Sequence, residues 1–233
     1  MKKSLLTFAI LGLLIQSNTI VAQDDAGSNQ ALNESSGQLY IPARKSDAKA
    51  IGSPYLIEKF TPATISAIPN KIVKARYNAY DDEIEIRIDE DNIQNFNKNI
   101  KNVIITFLLN DTVYTSLKYI NPNDGLQTGY FVTLTENNTK AKLYLKKEIR
   151  FVKAKPAVSG YDINKPAEFK NNSDIFFVSI NGAYARELPT KKKEIVKLFP
   201  ENSKVILDYI KENKIKISRE ADLINLINYI NSI

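Results

Sequence analysis

Glu83 and Glu85 stand two residues apart in the run Glu83-Ile84-Glu85-Ile86-Arg87-Ile88. On a strand, that spacing projects both carboxylates from one face. Two carboxylates facing a cleft can hydrolyse a glycosidic bond without histidine. Charge alternating along the wet side of a strand has the same pattern, with Ile84, Ile86 and Ile88 facing the core. Just upstream, Arg76-Tyr77-Asn78-Ala79-Tyr80 gathers a cation, an amide and two phenols ahead of a turn. Arg76, Tyr77, Asn78 and Tyr80 are therefore the candidate ligand-binding residues. The same group also fits an arginine stacked on tyrosine with an asparagine holding the turn.

Three other patterns bear on chemistry. Asp81-Asp82-Glu83, Asp89-Glu90-Asp91 and Asn121–Asp124 offer the oxygen ligands that calcium takes, but none spells the glycine-centred calcium loop, and turn residues ending strands explain them equally well. Ser46 and Lys49 have the spacing of a Ser-Lys nucleophile, without the motifs that accompany it, and they lie in a stretch poor in apolar residues. The many tyrosines would suit a carbohydrate or peptide groove, and they equally suit sheet packing.

The chain has no histidine and no cysteine. The first absence removes the commonest general base and zinc ligand, with the Ser-His-Asp and Cys-His constellations. The second removes disulfides, thiolate metal sites and a lipid-modified cysteine. The expectation is a non-enzymatic protein with no catalytic residue, no metal and no cofactor.

These residues sit in a chain whose local patterns are mostly those of strands. Alternation or β-rich composition marks Lys71–Tyr77, Glu83–Ile88, Thr112–Tyr119, Gly129–Thr135 and Lys140–Val152. Val103–Leu109 is a continuous apolar run, as for a strand covered on both faces. The side-chain parity of Lys140–Val152 changes near Lys147-Glu148, which predicts a bulge or bend. Lys153–Asn172 is a long loop that Tyr161 and Phe169 are placed to pin down. Asn181-Gly182 between Asp174–Ile180 and Tyr184–Leu188 predicts a tight hairpin. After Pro189 the period becomes helical, over Lys191–Phe199 with Thr190 as cap, Pro200–Glu212 ending at Asn213, and Arg219–Asn231 with Ser218 as cap. The fold class is α+β: an antiparallel, strongly curved sheet or partly open barrel of about eight strands, followed by two or three short helices.

Met1-Lys2-Lys3 followed by an apolar run from Leu5 to Ile15 describes a secretory signal, with cleavage after Ala22. Residues 23–50 are polar and read as a disordered leader, within which Leu39-Tyr40-Ile41-Pro42 is an apolar island able to dock locally. Residues 51–233 then form a single domain, with the sheet over 51–188 and the helical tail over 190–232. No transmembrane segment is expected in the mature chain, since no later apolar run reaches spanning length. Losing Lys2 and Lys3 with the signal leaves 30 basic against 26 acidic residues, a formal +4 rather than +6. That mild excess comes without a basic helix or interleaved aromatics, so no nucleic-acid partner is expected. Lys191-Lys192-Lys193 offers a contact for anionic lipid or simply a solvated run.

Gly52-Ser53-Pro54-Tyr55-Leu56, Phe60, and Arg76-Tyr77-Asn78-Ala79-Tyr80 with Asp82-Glu83-Ile84-Glu85 resemble a family of secreted proteins from Bacteroidota, chiefly flavobacteria. Phe176-Phe177-Val178, Leu188, Lys192-Lys193, Phe199 and Ile206–Lys214 extend the resemblance, so that it spans roughly Ile51 to Tyr229. The family carries no assigned activity, so no residue role is implied. What the resemblance implies is export to the periplasm or beyond; the missing cysteine leaves no site for lipidation. The function expected is a binding or assembly module of the bacterial envelope. The alternatives are a periplasmic carrier of a lipid or other apolar ligand, with a cavity lined by residues such as Ile104, Phe107 and Leu145, and a histidine-free hydrolase using Glu83 and Glu85. The expected partner is an envelope protein or an apolar ligand, in an oligomeric state that the sequence leaves open.

Overall fold

The computed structural model describes residues 38–43, 50–136, 139–157 and 163–233. In chain order its strands are β1 (Tyr40–Pro42), β2 (Thr61–Ile65), β3 (Ile72–Asn78), β4 (Glu83–Arg87), β5 (Ile93–Phe96), β6 (Ile104–Phe107), β7 (Thr112–Asn121), β8 (Gly125–Thr133), β9 (Ala141–Lys146), β10 (Ile149–Val152), β11 (Glu168–Asn171), β12 (Ile175–Ile180) and β13 (Ala185–Glu187). Helices α1 (Lys192–Lys197), α2 (Ser203–Glu212) and α3 (Glu220–Ser232) follow. The class is α+β, as the switch of period at Pro189 predicts.

Five strands close a ring in the order β7-β13-β12-β9-β8, with β8 pairing back to β7. Four of these pairings are antiparallel, and the fifth is parallel, with Ala185 opposite Tyr119 and Arg186 opposite Ile120. β7 belongs to two structures at once. Thr112–Thr115 pair with β6, and Tyr119 and Ile120 pair with β13. From β6 the sheet runs on as β6-β2-β3-β4-β5-β1, antiparallel throughout. β10 and β11 form a separate two-stranded ribbon.

Strand alternation sorts the side chains into three cores. Inside the ring, Tyr119, Phe131, Tyr144, Phe177 and Ala185 meet, with Phe131 edge-on to Phe177 at 4.9 Å and to Tyr119 at 5.0 Å between ring centres. Such pairs add roughly 0.5–1.5 kcal/mol each beyond their buried area. On the opposite face of β9 and β12, Ala141, Leu143 and Val178 meet Ile206, Ile210, Leu223, Leu226, Ile227 and Ile230 of the helices. The Asn231 amide fastens α3 there by exchanging hydrogen bonds of 2.8 and 2.9 Å with the backbone of Ala141. The third core lies on one face of the extended sheet, where Ile65, Ile84, Ile86, Phe96, Ile105 and Phe107 pack with Tyr77, Tyr114 and Tyr130.

Several expectations hold locally and several are corrected. Asn181 and Gly182 both take positive φ, 53° and 76°, as a primed hairpin turn requires. The parity change at Lys147-Glu148 is the break between β9 and β10, where the chain leaves the ring for the ribbon. The loop after it carries β11, pinned by buried Phe169; Tyr161 lies outside the described residues. The sheet is larger than about eight strands, and the barrel within it is closed rather than partly open, because β13 adds a parallel edge to β7. Val103–Leu109 is covered on one face only, leaving Ile104, Leu108 and Leu109 exposed. Ile88, expected inside with Ile84 and Ile86, is 48% exposed just past the end of β4. Neither Thr190 nor Ser218 caps a helix; α1 and α3 start after Lys191 and Arg219, without a side-chain cap. The sheet also begins before residue 51. The apolar island becomes edge strand β1, with Tyr40 edge-on to Phe96 at 6.2 Å and Asn97 bonded to the carbonyls of Leu39 and Gln38. The signal segment 1–22, the leader from 23 to 37, and residues 44–49 with Ser46 and Lys49 lie outside the described residues.

One glycine sets the spacing of the barrel end. A Cβ on Gly129 would lie 2.7 Å from Asp82 Oδ2, 2.8 Å from Lys146 Nζ and 3.1 Å from Tyr119 Cε1. Gly129→Ala is therefore expected to cost about 1–3 kcal/mol, the scale of overpacking. Urea unfolding reads this as a lowered midpoint, and an unchanged midpoint would contradict it.

Candidate functional site

The turn joining β3 to β4 is held by its own side chains. Asn78 Oδ1 accepts the backbone N–H groups of Tyr80 and Asp81 at 3.1 and 3.0 Å, the local bond that makes asparagine a turn residue. Asp82 closes the turn in the left-handed region, at φ 56°. Three parts of the fold meet here. Pro54 O accepts Ala79 N–H at 2.9 Å, and Ala79 O accepts Ile149 N–H of the ribbon at 3.0 Å. The Asp82 carboxylate enters the end of the barrel.

That entry answers a gap in the sheet. The β8–β9 ladder has Val132 opposite Leu145 and Thr133 opposite Tyr144. Beyond it, Tyr130 N–H has no strand to bond and donates at 3.3 Å to both Asp82 oxygens, while Tyr130 O accepts Lys146 Nζ at 3.1 Å. The carboxylate and the amine meet at 2.6 Å. Tyr77 OH donates to the same Asp82 Oδ1 at 2.7 Å. Lys146 is 3% exposed and lies 4.8 Å from the centre of the Phe131 ring and 5.7 Å from that of Tyr119. Burial pushes its ammonium pKa down, against the pull of Asp82. Burial, then Asp82, push the Tyr77 hydroxyl up.

The opposite face of β3 and β4 carries a second polar knot. Glu85, expected on the wet side, is buried, with Arg76 and, from the preceding loop, Tyr55 bonded to its carboxylate. Arg76 donates from Nε to Glu85 Oε2 at 2.8 Å and from Nη1 to Glu58 O at 3.0 Å, and its Nη2 lies 2.7 Å from the same Glu85 oxygen as an ion pair. Its guanidinium lies 3.6 Å from the Tyr55 ring centre and 4.3 Å from that of Phe60. Tyr55 OH bridges the pair, accepting from Arg76 at 2.7 Å and donating to Glu85 at 2.9 Å. Burial and then Glu85 raise the Tyr55 hydroxyl. Glu83 pairs with Lys98 at 2.8 Å.

A pocket of about 290 Å³ opens between this loop, the extended sheet and the barrel. Phe107, Tyr114, Val132, Leu134 and Leu145 wall it, and the exposed side chains of Leu56, Ile57 and Leu109 rim it. Lys59, Arg76, Lys147 and Glu220 supply its charges, although Arg76 is bound to Glu85 and Lys147 to Asp174. The volume falls at the small end of ligand sites, which run from roughly 300 Å³ upward.

The four residues singled out in Arg76–Tyr80 do not converge on one surface. Arg76 and Tyr77 line the pocket. Asn78 is buried in the turn, and Tyr80 is half exposed and packs on Phe151 and Phe169 of the ribbon. Phe107 and Leu145 of the expected cavity line the pocket, whereas Ile104 faces outward. Gly129 and the Asp82–Lys146 pair carry no local motif. The one trace is parity: Lys146 falls in step with Tyr144, on the side of β9 that enters the ring. Among the described residues no group of three acidic side chains is placed to hold a metal ion, and no helix is long and apolar enough to cross a membrane. No family model, curated protein or solved structure matches the chain.

Burial holds the Glu83 carboxyl above its ordinary 4.5, even beside Lys98. The folded chain thus binds that proton more tightly than the unfolded chain, so this residue's contribution falls as pH rises from about 4.5 through the folded value. Urea unfolding followed against pH should show Glu83→Gln flattening that part of the stability profile. The wild-type slope persisting in the variant would contradict the assignment.

Proposed function

We propose that the chain is a non-enzymatic, exported binding module of the bacterial envelope whose pocket receives a small apolar ligand. The observation that carries this is the pocket itself: an apolar wall of Phe107, Tyr114, Val132, Leu134 and Leu145 below a rim of exposed Leu56, Ile57 and Leu109. Apolar side chains gathered at the mouth of a concavity gain by being covered, and a ligand that fills the space removes both surfaces from water. The Met1–Ala22 segment and the resemblance to secreted Bacteroidota proteins support placement outside the cytoplasm. A larger envelope protein inserting an apolar side chain is the assembly form of the same reading.

A carboxylate hydrolase has less support. Glu85 is closed in by Arg76 and Tyr55, and Glu83 by Lys98, so neither is poised towards a substrate.

The test is a titration with an uncharged fluorescent naphthylamine probe, followed by displacement with medium-chain alcohols. The expected result is saturable binding that Val132→Trp weakens about tenfold or more, through filling the pocket, with the fold kept by circular dichroism. No saturable binding to the wild-type chain would overturn the ligand reading.

A further inference from the structure

We propose that Lys146 and Asp82 condense with each other into an intramolecular amide, a covalent tie between β9 and the β3–β4 turn. The inference is independent of the pocket and its ligand.

The geometry is that of a nucleophile held against its electrophile. With Nζ 2.6 Å from Asp82 Oδ1, the carboxyl carbon one bond further on is within reach of the amine, the proximity that turns a two-body step into an intramolecular one. The Asp82 oxygens already face two hydrogen-bond donors, the Tyr77 hydroxyl and the Tyr130 N–H. Tyr130 O holds the amine in place. Gly129 leaves the room that both groups occupy. The aromatic rings of Phe131 and Tyr119 exclude water from the lysine side. In the other lysine–carboxylate pairs of the described residues the lysine is far more exposed, as at Lys98, Lys147, Lys170, Lys197 and Lys211.

The step balances without an outside reagent. A proton passes within the ion pair from the ammonium to the carboxylate, giving a neutral amine and a carboxylic acid. On the lysine side burial favours this exchange, since it disfavours the ammonium and depresses its pKa. The nitrogen lone pair then attacks Cγ, and the developing oxyanion is met by Tyr130 N–H and Tyr77 OH, in the manner of preorganised donors. The amine gives up its second proton to the departing hydroxyl, one C–O bond breaks, and the products are one N–C bond and one water. In a chain without cysteine this is a cross-link that needs no oxidant. It would restrict the unfolded chain between residues 82 and 146 as a disulfide does.

Mass spectrometry of the full chain, folded by circular dichroism and then denatured and digested, tests the proposal. The peptide holding Asp82 should be joined to the peptide holding Lys146, one water lighter than their sum. Lys146→Arg and Asp82→Ala should give separate peptides of full mass. Asp82→Asn should give the same joined product with loss of ammonia in place of water. Two separate, unmodified peptides from the folded wild-type chain would overturn it, whatever the variants do.

Discussion

A carboxylate and an ammonium meeting at the end of the barrel set the terms for the rest of the molecule. Asp82 and Lys146 stand where the β8–β9 ladder stops, and between them they take both backbone groups of Tyr130 that would otherwise be buried without a strand partner. An unpaired backbone group there would cost about 1–3 kcal/mol. The buried Lys146 left alone there would cost more, because an ion pair that loses one member leaves an uncompensated charge. The pair thus fixes the β3–β4 turn against the barrel, and the turn in turn holds the loop at Pro54 and the ribbon at Ile149.

From that fixed point follows the shape of the pocket. The extended sheet and the barrel share β7 and would be free to flex about it. The turn anchors the sheet on the far side, and the Arg76–Glu85–Tyr55 knot fastens the Pro54–Phe60 loop across β3 and β4. What remains between loop, sheet and barrel is a space walled by Phe107, Tyr114, Val132 and Leu145. Its apolar lining is the product of strand alternation on both sides, and its preformed state means that a ligand would meet little ordering cost on entry. The three lysine and arginine cations at its wall are mostly balanced by carboxylates, which favours an uncharged occupant.

Much of the architecture was legible in local sequence. Ile84 and Ile86 mark a buried strand face, Asn181-Gly182 a primed turn, and the parity change at Lys147-Glu148 a bend, which the structure makes a break between two strands. The elements missed depend on contacts between distant residues. Nothing in Ala185–Glu187 says that three residues will close a barrel against Tyr119. A run such as Val103–Leu109 has the same composition whether its second face is covered or left open. Glu85 reads as solvated because its partner Tyr55 comes from a loop far back in the chain. Of the candidate site, the cluster Arg76–Tyr80 leads into the β3–β4 turn, while Asp82 at its end pairs with Lys146, which lies on another strand and carries no motif.

The dependence of both halves on the Asp82–Lys146 pair is tested most directly by a double-mutant cycle, with Asp82→Ala, Lys146→Met and the double variant unfolded in urea. Strong coupling is predicted: the second substitution should add little to the first, so that the interaction energy exceeds about 2 kcal/mol, within the range found for buried contacting groups. Losses that add to within about 0.5 kcal/mol, as for independent sites, would contradict the account.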